Sequence, residues 1–153
     1  MDLVIDTCVL VDASGDPQGV QEFARESYDL LQLLQSRDDW RHCFDKKEKI
    51  KREYNKRISG QMFAQKWLMK TQDRWFVLSC NRLPKPTRIK LCDDCHFDQK
   101  DVPFVETAHS TTTKIIVTRE FKSYKPQVIT VLRRDLGITV LRAGELLARL
   151  TQP

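Results

Sequence analysis

Residues 1–16 read MDLVIDTCVLVDASGD. Within them LVIDTCVLV, residues 3–11, is aliphatic and β-branched, the composition of a strand buried on both faces as in a parallel sheet. Asp6 stands in the middle of that run, with Asp12 and Asp16 close behind. A soluble domain rarely buries a carboxylate unless something pairs with it. The stretch therefore predicts a first strand that carries a functional acid close to its carboxyl end.

Outward from this strand the chain alternates. Ser14, Gly15, Asp16 and Pro17 mark a turn, and the spacing of Val20, Phe23, Tyr28, Leu30, Leu31 and Leu34 predicts a helix over 18–35. A short strand is expected at 40–44. Asp45 then suits the N-cap of a basic helix reaching about residue 58, with Ile50, Tyr54 and Ile58 on its core face. A further helix is expected over 62–70, and WFVLS, 75–79, reads as a strand or the end of an elbow. Residues 80–100 read as an irregular loop with RIKL as a short strand. DVPFVETAHS looks helical, with Asp101 at or before its first turn and Pro103 tolerated there. KIIVT, 114–118, is a second clear strand. A helix over 126–135 ends at Gly137, ITVLR is a third strand and AGELLARL a closing helix. This alternation predicts one three-layer α/β/α domain over residues 1–153 with a mostly parallel central sheet.

Charge narrows the partners. The 153 residues carry a formal net charge of +5, and KKEKIKREYNKR, 46–57, holds seven of the 26 basic residues. A basic surface suits a polyanion, and Lys46, Lys47, Lys51 and Arg52 are the candidate phosphate contacts. A solvated helix face laced with opposite charges one turn apart accounts for the same run. No apolar stretch approaches a membrane span, no secretion signal precedes the first strand, and an odd count of five cysteines favours reduced thiols. A cytoplasmic protein without membrane partners is expected.

Sites in open α/β sheets lie at the carboxyl ends of the strands. Asp6 is near the end of the first strand, Glu120 closely follows KIIVT, and Asp101 opens the helix leading into that strand. Glu53, on the basic helix, is the fourth candidate. Several carboxylates in one pocket repel unless some are protonated or neutralised, and an all-oxygen set suits Mg²⁺ or Mn²⁺. The chemistry this implies is hydrolysis of a nucleic-acid phosphodiester. Each acid also has a plain explanation: helix capping for Asp101, an ion pair with Lys49 or Arg57 for Glu53, a turn for Glu120, and a hydrogen-bonded buried carboxylate for Asp6.

VIDTCVLVDA resembles the opening of PIN-domain nucleases, whose first strand ends in an Asp followed by Thr or Ser. KREYNKRI resembles that family's helical Glu followed by Tyr, and KDVPFVETAHSTTTKIIVTREF its third and fourth blocks together. The resemblance covers most of the chain. It implies a PIN fold, a divalent-metal site on Asp6, Glu53, Asp101 and Glu120, and endonuclease activity, usually on RNA and in some members on structured DNA. It also implies a toxin role opposed by an antitoxin protein, and homodimers. Thr7 and Thr118 would support the site or contact the strand, Asp98 would replace Asp101 under a shifted register, and Asp12 and Asp16 would sit at the rim. The family's fourth acid is usually Asp. Glu120 adds a methylene, moving the oxygens outward by about 1.5 Å, which keeps a non-catalytic nucleic-acid-binding module as an alternative.

CDDCHF, 92–97, offers two cysteines and His96, but a structural zinc site needs four ligands and a redox pair opposes its neighbours Asp93 and Asp94. The expectation is a loop with partly buried thiols. The five glycines are scattered and form no phosphate-cradling loop. Trp40, Trp67 and Trp75 are expected in the core or an interface.

Overall fold

The computed structural model describes residues 1–15, 22–58, 60, 62–119 and 122–152. Five strands form one all-parallel sheet: β1 (Asp2–Ile5), β2 (Arg41–Asp45), β3 (Trp75–Leu78), β4 (Ile115–Val117) and β5 (Thr139–Leu141). Their order is β3-β2-β1-β4-β5. The chain thus steps outward from β1 through β2 to β3, then crosses back to β4 on the other side of β1. That reversal opens a crevice beyond the carboxyl ends of β1 and β4.

The helices are α1 (Thr7–Ala13), α2 (Glu22–Gln35), α3 (Lys49–Arg57), α4 (Phe63–Lys70), α5 (Lys85–Ile89), α6 (Val102–His109), α7 (Pro126–Leu136) and α8 (Ala143–Thr151). Helices α1, α2, α4 and α8 pack among themselves, while α6 lies across β1, β2 and β4. The result is the expected three-layer α/β/α arrangement. Its centre is the fully buried β1 run Leu3, Val4 and Ile5, flanked by Leu30, Leu31 and Leu34 of α2 and by Phe104 and Val105 of α6. Trp40 and Trp67 stack at 5.7 Å in this core, and their indole N–H groups donate to the carbonyls of Leu34 and Leu31. Burial of large rings is favourable here because each indole also finds a partner. Trp75, on edge strand β3, is only half-buried.

Local chemistry sets several boundaries. Pro103 and Pro126 stand in the first turns of α6 and α7, where the missing N–H is no loss. Gly137 ends α7 at φ 70°, a left-handed position that a side chain would strain.

Two expectations are overturned. The apolar run 3–11 is not one strand: β1 stops at Ile5 and α1 begins at Thr7. Both elements are buried on their inner sides, so their apolar runs join without a break in hydrophobicity, and periodicity alone does not separate them. Likewise RIKL is not a strand and 80–100 is not wholly a loop. Residues Lys85–Ile89 form α5 and Lys90–Asp94 continue as a π-helical turn, entered by Pro86 in the first turn. The expected helix over 18–35 begins, among the described residues, at Glu22.

Candidate active site

Asp6 is the residue at which β1 becomes α1. Its N–H donates to the carbonyl of Val117 at 2.8 Å, which continues the β1–β4 pairing one step past both strands. Its side chain is therefore delivered to the crevice at the sheet's reversal point. Asp6 holds the N-cap position of α1, yet its carboxylate makes no capping bond. It accepts instead a 2.6 Å hydrogen bond from the Thr118 hydroxyl, so Thr118 orients the carboxylate from the end of β4. Thr7 also lines the crevice, with its buried hydroxyl lacking a partner among the described residues.

A second acid of the same strand gives a contrast. Asp2, at the amino end of β1, is equally buried but pairs with Arg41 at 2.8 Å and accepts from the Thr112 N–H. Among the described residues Asp6 has no such cation. Burial pushes the Asp6 carboxyl above its ordinary range, with its hydrogen bonds opposing.

Asp101 ends a 3₁₀ turn, Gln99–Asp101, that feeds into α6. Asp98 opens the turn by accepting from the Lys100 N–H at 3.0 Å, and Lys100 returns an ion pair at 3.2 Å. Asp101 is 8% exposed, and its carboxyl is pushed up to about 6, first by burial and also by the charge of Asp6, against a hydrogen bond from Ser123. The two acids line one cleft, close enough for their charges to interact. Burial also pushes the Cys8 thiol up to about 12 and the Tyr124 phenol well above its ordinary value, with Asp6 adding to both. The Tyr124 hydroxyl is buried and, among the described residues, without a partner. Asp6, Asp101, Cys8 and Tyr124 are thus all pushed toward their neutral forms.

Glu53 reaches the same cleft from α3. The orientation of that helix is fixed twice. At its start both Asp45 carboxylate oxygens accept backbone N–H groups, from Lys49 and Ile50, each at 2.9 Å. In its middle the buried Tyr54 hydroxyl donates to the Ile5 carbonyl, one residue before Asp6, and lies 3.1 Å from His42 Nε2. The phenol has given its proton to Ile5, so His42 Nε2 carries the hydrogen of the second bond. Burial lowers His42 to about 3, which keeps it neutral.

The cleft so formed holds about 310 Å³. Asp6, Thr7 and Cys8 contribute from the start of α1, Glu53 and Arg57 from α3, and Asp98, Lys100 and Asp101 from the turn before α6. His96, Phe104, Lys122 and Ser123 complete it. Of the four acids named from sequence, Asp6, Glu53 and Asp101 share this cleft, as does Asp98. Glu120 lies outside the described residues, as does Asp16. Asp12 is engaged by an ion pair with Arg119. Sequence reasoning overlooked Arg57, Lys100, Lys122 and Ser123 as cleft residues, and gave His96 only a zinc role. His96 has φ 54°, an uncommon conformation for a residue with a side chain, and such positions gather at functional sites. No sequence signal marks it.

The basic run divides. Lys46 and Lys47 line a larger neighbouring cavity, whereas Lys51 Nζ sits 4.9 Å from the Trp75 ring centre in a separate groove and the Arg52 side chain is exposed.

Among the described residues, no three His, Cys, Asp or Glu side chains lie close enough together to hold an ion by themselves. The donor chemistry still fits a hard dication. Mg²⁺ commonly takes one or two carboxylates and keeps waters or substrate phosphate in its other positions. Asp6 and Asp101, two buried carboxylates that line one cleft, offer that set. The cysteines offer no competing centre: all five are free, and Cys92 and Cys95 belong to the π-helical turn and its end. Among the described residues no helix is long and apolar enough to cross a membrane. No family model matches the chain, and no curated protein matches it.

Proposed function

We propose that this protein is a divalent-metal-dependent endonuclease of the PIN-domain kind, acting on RNA. The observation that carries the proposal is that two buried acids, Asp6 and Asp101, line one cleft at the sheet's reversal point, without an ion pair on Asp6 among the described residues. Asp6 and Asp101 would hold Mg²⁺ or Mn²⁺, with Glu53 on the cleft wall and Glu120 as the further acid. When bound, such an ion supplies neutralisation of phosphodiester charge and a lower pKa for water in the site.

The chain's own residues have separate tasks. Thr118 holds the Asp6 carboxylate in one orientation through its hydroxyl. Arg57, Lys100 and Lys122 line the same cleft and would receive phosphate oxygens. Hydrolysis adds the water oxygen to phosphorus, breaks one phosphorus–oxygen ester bond and delivers a proton to the departing sugar oxygen. Toxin activity, an antitoxin that covers the cleft, association of two copies and a cytoplasmic location extend the same proposal.

The test offers end-labelled RNA and DNA to wild type and Asp6→Asn, each with Mn²⁺ and with EDTA. Loss of a carboxylate worth several kcal/mol of transition-state stabilisation corresponds to a rate drop of about 10³-fold. Equal products from both proteins would remove the nuclease assignment, and cleavage of DNA alone would change the substrate. The absence of a third close ligand among the described residues favours one second reading, a nucleic-acid-binding module without hydrolysis. RNA binding by both proteins with no cleavage in Mn²⁺ selects it.

A further inference from the structure

Beside the cleft lies a second and larger cavity, of about 460 Å³, at the carboxyl ends of β2 and β3. Lys46 and Lys47 enter it from the turn after β2, Lys49 from the start of α3, Arg82 from the segment after β3 and Arg88 from α5. Three separate stretches of chain thus bring five cations to one concavity. Its acids are Asp45 and Glu106. Asp45 is occupied in capping α3, and Glu106 accepts from the Leu83 N–H at 3.4 Å. Among the described residues none of the five cations has an ion pair. A solvated helix face does not explain this. Such a face is convex and laced with opposite charges, whereas this one is concave and carries a surplus of positive charge.

The cavity adjoins the acidic cleft through one wall. In the segment 99–102, Gln99 and Val102 face the cavity while Lys100 and Asp101 face the cleft. An extended polyanion crossing that wall would meet both. Among the described residues the lining contains no aromatic ring to stack on a base. Contact through cations alone reads the backbone and not the sequence.

We propose that this cavity binds the phosphate backbone of a single nucleic-acid strand, next to the segment 99–102 that carries Asp101. The choice of polyanion rests on the nuclease reading; the cavity's cationic character does not.

The experiment measures fluorescence anisotropy of a labelled oligouridine RNA against the full chain, in EDTA so that no cleavage intervenes, over 50–200 mM salt. The cavity variant is Lys47→Ala/Arg88→Ala. A control with the same charge change elsewhere is Lys70→Ala/Arg149→Ala, on α4 and α8. All four side chains are exposed, so folding is retained. For single strands the salt slope changes by about 0.7 per phosphate contact, so losing two contacts lowers it by about 1.4 and weakens binding about 20-fold at 0.1 M salt. The control is expected to stay within about twofold of wild type, beyond the range of local phosphate contact. Equal weakening by both variants, no weakening by the cavity variant, or no binding by wild type overturns the proposal. Its failure is separable from that of the nuclease reading. Mn²⁺-dependent cleavage that Asp6→Asn abolishes, with unaltered RNA binding by the cavity variant, removes the cavity and leaves the nuclease. The reverse pattern, a lowered slope in a protein that never cleaves, removes the nuclease and leaves the cavity.

Discussion

The cleft beyond β1 and β4 and the cavity beyond β2 and β3 open on the same edge of one sheet, yet they are built on opposite plans. The cleft's central groups, Asp6 and Asp101, are short side chains almost fully buried, tied to strand and turn ends that allow little movement. The cavity's cations are exposed lysines and arginines on long stems. The difference matches two kinds of ligand. A compact dication requires fixed oxygens that repel one another without it, while a polymer backbone is held by mobile, screened charges that add up. Helix α3 joins the two: Lys49 in its first turn faces the cavity, and Glu53 and Arg57 face the cleft.

The strongest way to disturb both regions at once is through the anchor of that helix. Tyr54→Phe leaves the Ile5 carbonyl and the His42 Nε2–H, both buried, without their partner. Unsatisfied buried polar groups cost about 1–3 kcal/mol each, so a net loss of about 2–3 kcal/mol is expected. A shift in the urea midpoint at unchanged slope measures it. A loss below about 0.5 kcal/mol, the size of an ordinary surface substitution, would mean that packing alone sets α3 and that the two regions are not coupled through this bond.

A smaller effect isolates the cleft. Asp101 has a folded-state pKa of about 6, above the 3.8 of a free carboxyl. A raised carboxyl favours the fold when protonated, so its stabilisation is full below about pH 4 and lost as pH rises through about 6. In metal-free protein Asp101→Asn should therefore be more stable than wild type at pH 7.5, by about 1–2 kcal/mol after allowance for the water that reaches the group. The gap should close between about pH 6 and pH 4. His42 acts in the opposite sense, since its pKa is lowered to about 3 and its stabilisation fades as pH falls below about 6.5. It is common to both proteins and cancels in the difference. A gap independent of pH would show that Asp101 is not held ionised against its neighbours.

These two regions were unequally visible in the sequence. Asp6 and Asp101 stood out because an acid beside an apolar run, or at the mouth of a helix, is tied to element boundaries, and boundaries lie at the strand ends where α/β sites form. The extent of the first strand was misjudged for a related reason: α1 is apolar where it packs, so nothing between Val4 and Val11 signals the turn except Asp6 itself. The cavity was only half legible. Lys46 and Lys47 belong to a visible run, but Arg82 and Arg88 sit in a segment read as loop, and only the packing of α5 brings them round. Charge in sequence order also grouped Lys51 with Lys47, although Lys47 lies in the turn before α3 and lines the cavity while Lys51 lies on the helix over Trp75. His96 escaped because its left-handed backbone has no compositional mark.

The finest contrast between the regions is carried by Asp45, an acid inside the cationic cavity. Its two oxygens cap α3, so Asp45→Ala removes both bonds and should lower stability by about 1 kcal/mol, the usual value of an N-terminal cap. Binding should move the other way. Asp45 lines the cavity together with Lys46, Lys47 and Lys49, and deleting its charge raises the potential that a strand meets there. The RNA anisotropy titration in EDTA should then show affinity equal to wild type or up to about threefold tighter, a change of at most about 0.7 kcal/mol. An acid in the cleft has no such dual effect, because Asp6 caps nothing with its side chain. If Asp45→Ala instead weakens RNA binding, the position of α3 matters more to the cavity than its charge does, and the contrast between a rigid acidic cleft and a tolerant basic cavity fails.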